Sequence, residues 1–198
     1  MGISYEPANI LVDLDGVIAN FAKKFSELCN TKYGDRCVLL ENSTNIPFWH
    51  WEDWYDITVP EILDIWEDIK HTQNFWMTLD ILEYWDWVYF RNKLNKLESL
   101  NVYFITARTE TEGYSVANQS AMWLKSHGWD NPFVIQSQKK GELSELLDIR
   151  FVIDDKDKNL IDIHNYLPNC KLFAYPAKHN EKLLNESGIE YTLSLIHI

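Results

Sequence analysis

The stretch Asn9-Ile10-Leu11-Val12-Asp13-Leu14-Asp15-Gly16-Val17 constrains the fold more than any other part of the chain. Ile10, Leu11 and Val12 form an unbroken aliphatic run, the mark of a strand covered on both faces inside a parallel sheet. Asp13 and Asp15 stand where that strand should end, and in open α/β sheets ligands bind beyond the carboxyl ends of the strands. Gly16 lets the backbone turn sharply away. Two carboxylates within about 4 Å repel by roughly 1 kcal/mol in water and about 4 kcal/mol at an effective dielectric of 20. The pair therefore asks for a cation, and Mg²⁺ is the hard, oxygen-preferring candidate. An EF-hand loop is excluded, since Gly16 follows Asp15 directly and an apolar strand precedes it. Taken alone, the stretch also reads as a plain turn, because Asp and Gly are ordinary turn formers.

A chain of 198 residues can bury one good core, with room for an inserted subdomain. Its net charge of -12 disfavours a surface that tracks nucleic-acid phosphates, which needs clustered Lys and Arg, but admits small anionic ligands where positive charge is local. The cysteines Cys29, Cys37 and Cys170 are odd in number and form no C-x-x-C pair, which predicts free thiols in a reducing compartment. No apolar run reaches membrane-spanning length and the start carries no basic leader, so a cytoplasmic location is expected. The final residues Leu193-Ser194-Leu195-Ile196-His197-Ile198 are what CTG TCT CTT ATA CAC ATC encodes, the end of a common transposase-based sequencing adapter. Residues 193–198 are therefore expected to be read-through and are set apart from the fold.

Along the chain, Ile18, Phe21, Phe25 and Leu28 share a helical face after the first strand. From about residue 31 the texture changes to a loop-like Asn42-Ser43-Thr44-Asn45 and a crowd of aromatic residues, while Thr58-Val59-Pro60-Glu61 is a capping box with proline early in a helix that Ile62, Trp66 and Ile69 continue. This predicts a folded insertion. Asp80 to Glu83 repeats the start signal, and Trp85, Val88, Leu94 and Leu97 carry a helix to about Ser99. Strands at 102–105, 133–135, 151–153 and 171–175 then alternate with helices carrying Ala117, Ala121 and Leu124, spanning Lys140 to Leu147, carrying Leu160 and Ile163, and spanning Lys178 to Ser187. The expected fold is α/β, a doubly wound parallel sheet.

The predicted strand ends carry Asp13 and Asp15, Thr106 with Arg108, and Asp154 with Asp155, while Lys139 and Lys140 open a helix. A parallel sheet puts all of them on one edge. Motif by motif the chain resembles the haloacid dehalogenase superfamily of phosphotransferases. Asp13-Leu14-Asp15-Gly16-Val17 matches the first motif, Phe104-Ile105-Thr106-Ala107-Arg108 the second, Lys140 or Lys139 the third, and Val152-Ile153-Asp154-Asp155-Lys156 the fourth.

The resemblance implies Asp13 as nucleophile, forming an aspartyl-phosphate. Asp15 first protonates the leaving oxygen and then activates water. Mg²⁺ is implied on the Asp13 carboxylate, the Asp15 carbonyl and Asp155, with Asp154 nearby, while Thr106 bonds phosphoryl oxygens and Lys140 offsets their charge. Arg108 either touches the substrate phosphate or pairs with a neighbouring acid. Taken singly, Thr106 also reads as a strand end, Lys140 as a solvated lysine and Asp154-Asp155 as a helix cap.

The insertion's place between the first and second motifs resembles the cap of family members that enclose small molecules. Its aromatic content and the Phe75-Trp76-Met77-Thr78-Leu79 segment resemble the 5′(3′)-deoxyribonucleotidase group. The expected organisation is a core of residues 1–30 and 78–192 with a small helical, aromatic-rich cap at 31–77. Trp49, Trp51, Phe75 and Trp76 are the candidates to stack a nucleobase, against the alternative that they only pack a small core. The implied activity is a Mg²⁺-dependent 5′-nucleotidase on (deoxy)ribonucleoside monophosphates. Competing readings are a polynucleotide 3′-phosphatase of end repair, disfavoured by the acidic balance, and a non-catalytic binding protein of the same fold, disfavoured by the intact Asp13 and Asp15.

Overall fold

The computed structural model describes residues 7–40, 50–53, 55–97, 99–177, 190, 191 and 195. Its strands are β1 (Ala8–Val12), β2 (Leu100–Thr106), β3 (Phe133–Gln136), β4 (Ile149–Asp154), β5 (Lys171–Ala174) and β6 (Glu190–Tyr191). They form one parallel sheet of six strands in the order β3-β2-β1-β4-β5-β6. The helices are α1 (Phe21–Tyr33), α2 (Val59–Lys70), α3 (Tyr84–Leu94), α4 (Val116–Ser126), α5 (Lys140–Leu146) and α6 (Asp157–Tyr166).

β1 lies at the centre, with Ile10 opposite Val102 of β2 and Phe151 of β4. Its aliphatic run serves both layers. Ile10 and Val12 join the larger apolar cluster with Phe25 of α1, Trp87 and Phe90 of α3 and Trp123 of α4, whereas Leu11 faces Leu160 and Ile163 of α6. Strand alternation sends neighbours to opposite faces, so a strand with helices on both sides must be apolar throughout.

α2 starts where its capping box predicts: Glu61 Oε2 accepts from the Thr58 amide at 2.7 Å, and Pro60 sits in the first turn. Two expectations shift. Ile18 lies in the loop before α1, whose cap is Asn20, accepting from the Lys23 amide at 3.2 Å. α3 begins at Tyr84 rather than at 80, because residues 80–82 pair with that loop: Asn20 N donates to Asp80 O at 2.9 Å and Leu82 N to Ile18 O at 2.7 Å. The shift turns the buried stripe of α3 to Trp87, Phe90 and Leu94, leaves Trp85 at 78% exposure, and ends the helix at Leu94.

Among the described residues, the chain between α1 and α3 holds α2 and three short 3₁₀ turns, Gly34–Arg36, Trp51–Asp53 and Phe75–Met77. Phe21 stacks on Trp66 with ring centres 5.5 Å apart, and Phe25 on Trp51 at 4.3 Å. The expected helix from Lys178 to Ser187, the Asn42 to Asn45 loop and Trp49 lie outside the described residues. Leu195, within the terminal segment set apart above, is buried in the larger cluster. Among the described residues, no helix is long and apolar enough to cross a membrane.

Candidate active site

Asp13 is the first residue past β1, and its amide still donates to Ile153 O of β4 at 2.9 Å. The chain then doubles back: Gly16 N donates to Ala19 O at 3.0 Å, and Ile18 N and Ala19 N both donate to Leu14 O, at 2.9 and 2.7 Å. Gly16 adopts a φ of +79°, and a Cβ there would lie 2.0 Å from Asp155 Oδ2. Backbone and neighbour both demand glycine.

Lys140 opens α5 and is buried, with Nζ 2.9 Å from Asp13 Oδ1 and 2.6 Å from Asp154 Oδ2. Asp154 also accepts from the Lys156 amide at 2.8 Å and from Asn159 Nδ2 at 3.0 Å. It acts as the anchor of the lysine. Burial pushes the Asp13 carboxyl up to about 7; Lys140 opposes the rise, and Asp154 and Asp15 add to it. Burial likewise raises Asp155, reinforced by repulsion from Asp154 and Asp13. For Lys140, burial works against the charge, but Asp13 and Asp154 outweigh it and hold the ammonium above its ordinary range.

The carboxylates of Asp13, Asp154 and Asp155, all buried, have oxygens within 4.8 Å of one another. Lys140 alone does not balance them, and an all-oxygen donor set with surplus negative charge fits a hard divalent cation such as Mg²⁺. Asp13 and Asp155 would hold it, since the Asp154 oxygens are taken by Lys140, Lys156 and Asn159.

Arg108, just beyond β2, meets Asp15 in a bidentate pair, Nε to Oδ2 at 2.9 Å and Nη2 to Oδ1 at 2.8 Å. Of the two roles open to it in sequence, the pair with a neighbouring acid is the contact present. Its Nη1 donates to Ser120 Oγ at 2.8 Å, and its guanidinium lies 4.7 Å from the centre of the Trp76 ring.

Asp13, Asp15, Arg108, Lys140 and Asp155 border a cavity of about 420 Å³, and Thr106 lines it. Phe21, Ala22, Trp51, Ile62 and Trp66 line it as well, with His50, Glu52, Lys156 and Asn159. Of the paired candidates, Lys140 is the one placed against the carboxylates. Lys139 points away and binds Glu142 at 3.1 Å, because only the first residue inside α5 faces the sheet edge. Among the proposed aromatic faces, Trp51 lines the cavity; Phe75 is buried against Phe21 and Trp76 and does not. Trp76 lines the cavity but is 2% exposed, and its indole N–H donates to Thr109 O at 2.8 Å. Phe21 and Trp66 read in sequence only as members of an apolar face. Ser120 carried no signal, since a serine within a helix is unremarkable until Arg108 is seen beside it.

An acidic strand end answered by a buried lysine from a crossover helix, on a doubly wound parallel sheet, defines a phosphatase of the haloacid dehalogenase type. Solved structures share the fold. A haloacid dehalogenase family hydrolase from Deinococcus radiodurans R1, determined with bound phosphate and sodium, aligns at a TM-score of 0.58 and 12% identity over 97% of this chain and 92% of that one. A haloacid dehalogenase-like hydrolase from Streptococcus pneumoniae gives 0.57 and 11% over 96% and 94%. A family IA, variant 3 hydrolase from Entamoeba histolytica gives 0.53 and 11% over 96% and 95%. No curated protein matches the chain in sequence. Residues 7–185 match the family described as 5′ nucleotidase, deoxy (pyrimidine), cytosolic type C protein, and the chain belongs to that family.

Proposed function

We propose that the protein is a Mg²⁺-dependent nucleotidase that removes the phosphate of (deoxy)ribonucleoside monophosphates. The observation that carries this reading is one cavity whose lining joins the carboxylates and lysine of the strand ends to the aromatic faces of Phe21, Trp51 and Trp66. Its volume of about 420 Å³ falls within the roughly 300–1,000 Å³ of small-molecule sites. Phe21, Trp51 and Trp66 offer stacking surface for a base, and the described part of the insertion, with α2 and the turns at Trp51–Asp53 and Phe75–Met77, serves as its cap.

In this reading Asp13 attacks phosphorus, forming an aspartyl-phosphate as the bond to the leaving oxygen breaks. Asp15 gives that oxygen a proton, and then takes one from the water that attacks phosphorus and releases Asp13. Lys140, fixed by Asp154, steadies Asp13 and the phosphoryl charge. When bound, Mg²⁺ supplies further neutralisation of the phosphoryl oxygens.

The test is phosphate release across deoxy- and ribonucleoside monophosphates, a 3′-phosphorylated oligonucleotide and an aryl phosphate, with Asp13→Asn as control. Release from monophosphates that vanishes in the variant supports the reading. Release confined to the oligonucleotide moves the protein to end repair, and silence throughout overturns the assignment.

A further inference from the structure

We propose that Arg108 is a positioning residue: it sets the orientation of the Asp15 carboxylate and does not bind the substrate phosphate. This rests on the phosphatase reading above and assigns a residue that the reading leaves undetermined. Both residues lie along the cavity wall, but the Arg108 side chain is fully buried, whereas that of Asp15 is 26% exposed. Both Asp15 oxygens accept from the fork, at 2.9 and 2.8 Å, which fixes the plane of the carboxylate as well as its place. The fork is itself held. Ser120 Oγ, fully buried on α4, accepts from Nη1 at 2.8 Å. The Trp76 ring covers the guanidinium and is pinned in turn by Gln119 Oε1, which accepts from the Trp76 amide at 3.1 Å, and by Thr109 O.

A guanidinium engaged on Asp15, Ser120 and Trp76 is committed before substrate arrives. Substrate phosphate is left to Lys140, Thr106 and the bound cation. The orientation matters at two moments. A proton must pass from Asp15 to the leaving oxygen as the phosphorus–oxygen bond breaks, and another from water to Asp15 as the aspartyl-phosphate is cleaved. Lysine keeps the charge but cannot reproduce the planar two-point contact.

The experiment compares Arg108→Lys and Ser120→Ala with wild type on a nucleoside monophosphate and on 2,4-dinitrophenyl phosphate, whose leaving group departs without a proton. For Arg108→Lys with the nucleotide, kcat should fall roughly 10- to 100-fold, short of the roughly 10²- to 10⁴-fold of a whole acid–base contribution because Asp15 itself remains, with KM changed less than threefold. Its first-turnover release of dinitrophenolate should fall much less. Ser120→Ala, which only loosens the fork, should show the same pattern more weakly. A KM raised alike for both substrates in Arg108→Lys, or equal falls in first-turnover rate on both, overturns the positioning role and leaves the phosphatase reading intact. A wild type inactive on both substrates overturns the reading and this inference with it.

Discussion

Arg108 and Asp15 are 93 residues apart in sequence, yet they close a two-point contact at 2.9 and 2.8 Å across the ends of two neighbouring strands. Breaking it from the acid side should show in activity and in folding together. Asp15→Asn is expected to lower phosphate release by about 10²- to 10⁴-fold. It should also lower the melting temperature, since it leaves a buried guanidinium without its carboxylate. Circular dichroism and a thermal melt beside the assay check both; unchanged turnover removes Asp15 from the mechanism.

Gly16→Ala tests the closeness of the first and fourth motifs. The added Cβ would meet Asp155 Oδ2 at 2.0 Å, on a backbone with φ of +79°. Strain of this kind costs on the order of 1–3 kcal/mol. The expected result is a destabilised protein with a weakened Mg²⁺ requirement curve, read by chemical unfolding and by titrating activity against Mg²⁺. A variant matching wild type in both would place Asp155 elsewhere.

The crowding of Asp13, Asp154 and Asp155 around Lys140 makes stability depend on cations. Lys140→Met should cost about 3–5 kcal/mol, the usual loss when a buried ion pair is left with one partner. Millimolar Mg²⁺ should raise the melting temperature of wild type over that in EDTA, because it binds the folded carboxylates and not the dispersed ones. Asp155→Asn should shrink that rise. Thermal shift with and without EDTA decides it.

At the start of α2, Glu61 accepts from Arg36 at 2.8 and 3.0 Å and from Thr58. Chiefly through Arg36, its carboxyl drops to about 2 from an ordinary value of 4.5. A folded-state pKa below the unfolded one stabilises above about 4.5, and the gain disappears as pH falls toward 2. Wild type should therefore melt above Glu61→Gln at pH 7, with the gap closing across that window. A gap that persists at pH 2 would assign the effect to packing.

The aromatic wall has its own signature. Trp66→Ala and Trp51→Ala should raise KM for nucleoside monophosphates by about 5- to 150-fold, corresponding to 1–3 kcal/mol per stacked base. An aryl-free sugar phosphate should lose far less. Equal loss on both substrates would mean that the rings only pack the helical layer.

Legibility in the sequence followed the range of each interaction. β1, the capping box of α2 and the four acidic or basic motifs were readable because a strand's apolar run, a cap and a strand end are written in adjacent residues. The face of α3 was not: Asp80 looks like a helix start, and only the pairing of residues 80–82 with the loop at 18–20 delays the helix to Tyr84. The choice between Lys139 and Lys140 turned on one residue of helical phase. Trp76 was visible as an aromatic near the site, but its commitment to Arg108 depends on contacts across 32 positions that no local pattern records.

The central position of β1 has a consequence for how the protein comes into being. Adjacent parallel strands are spaced about 4.8 Å apart, so the sheet itself fixes how near Asp13 can come to Asp154, and β1 waits for β2 and then β4 before its carboxylates acquire their neighbours. Pairings so distant in sequence form slowly. During synthesis the N-terminal aspartates emerge long before Lys140 does, and the site cannot be complete until Asp154, Asp155 and Asn159 have followed and the middle of the sheet has closed.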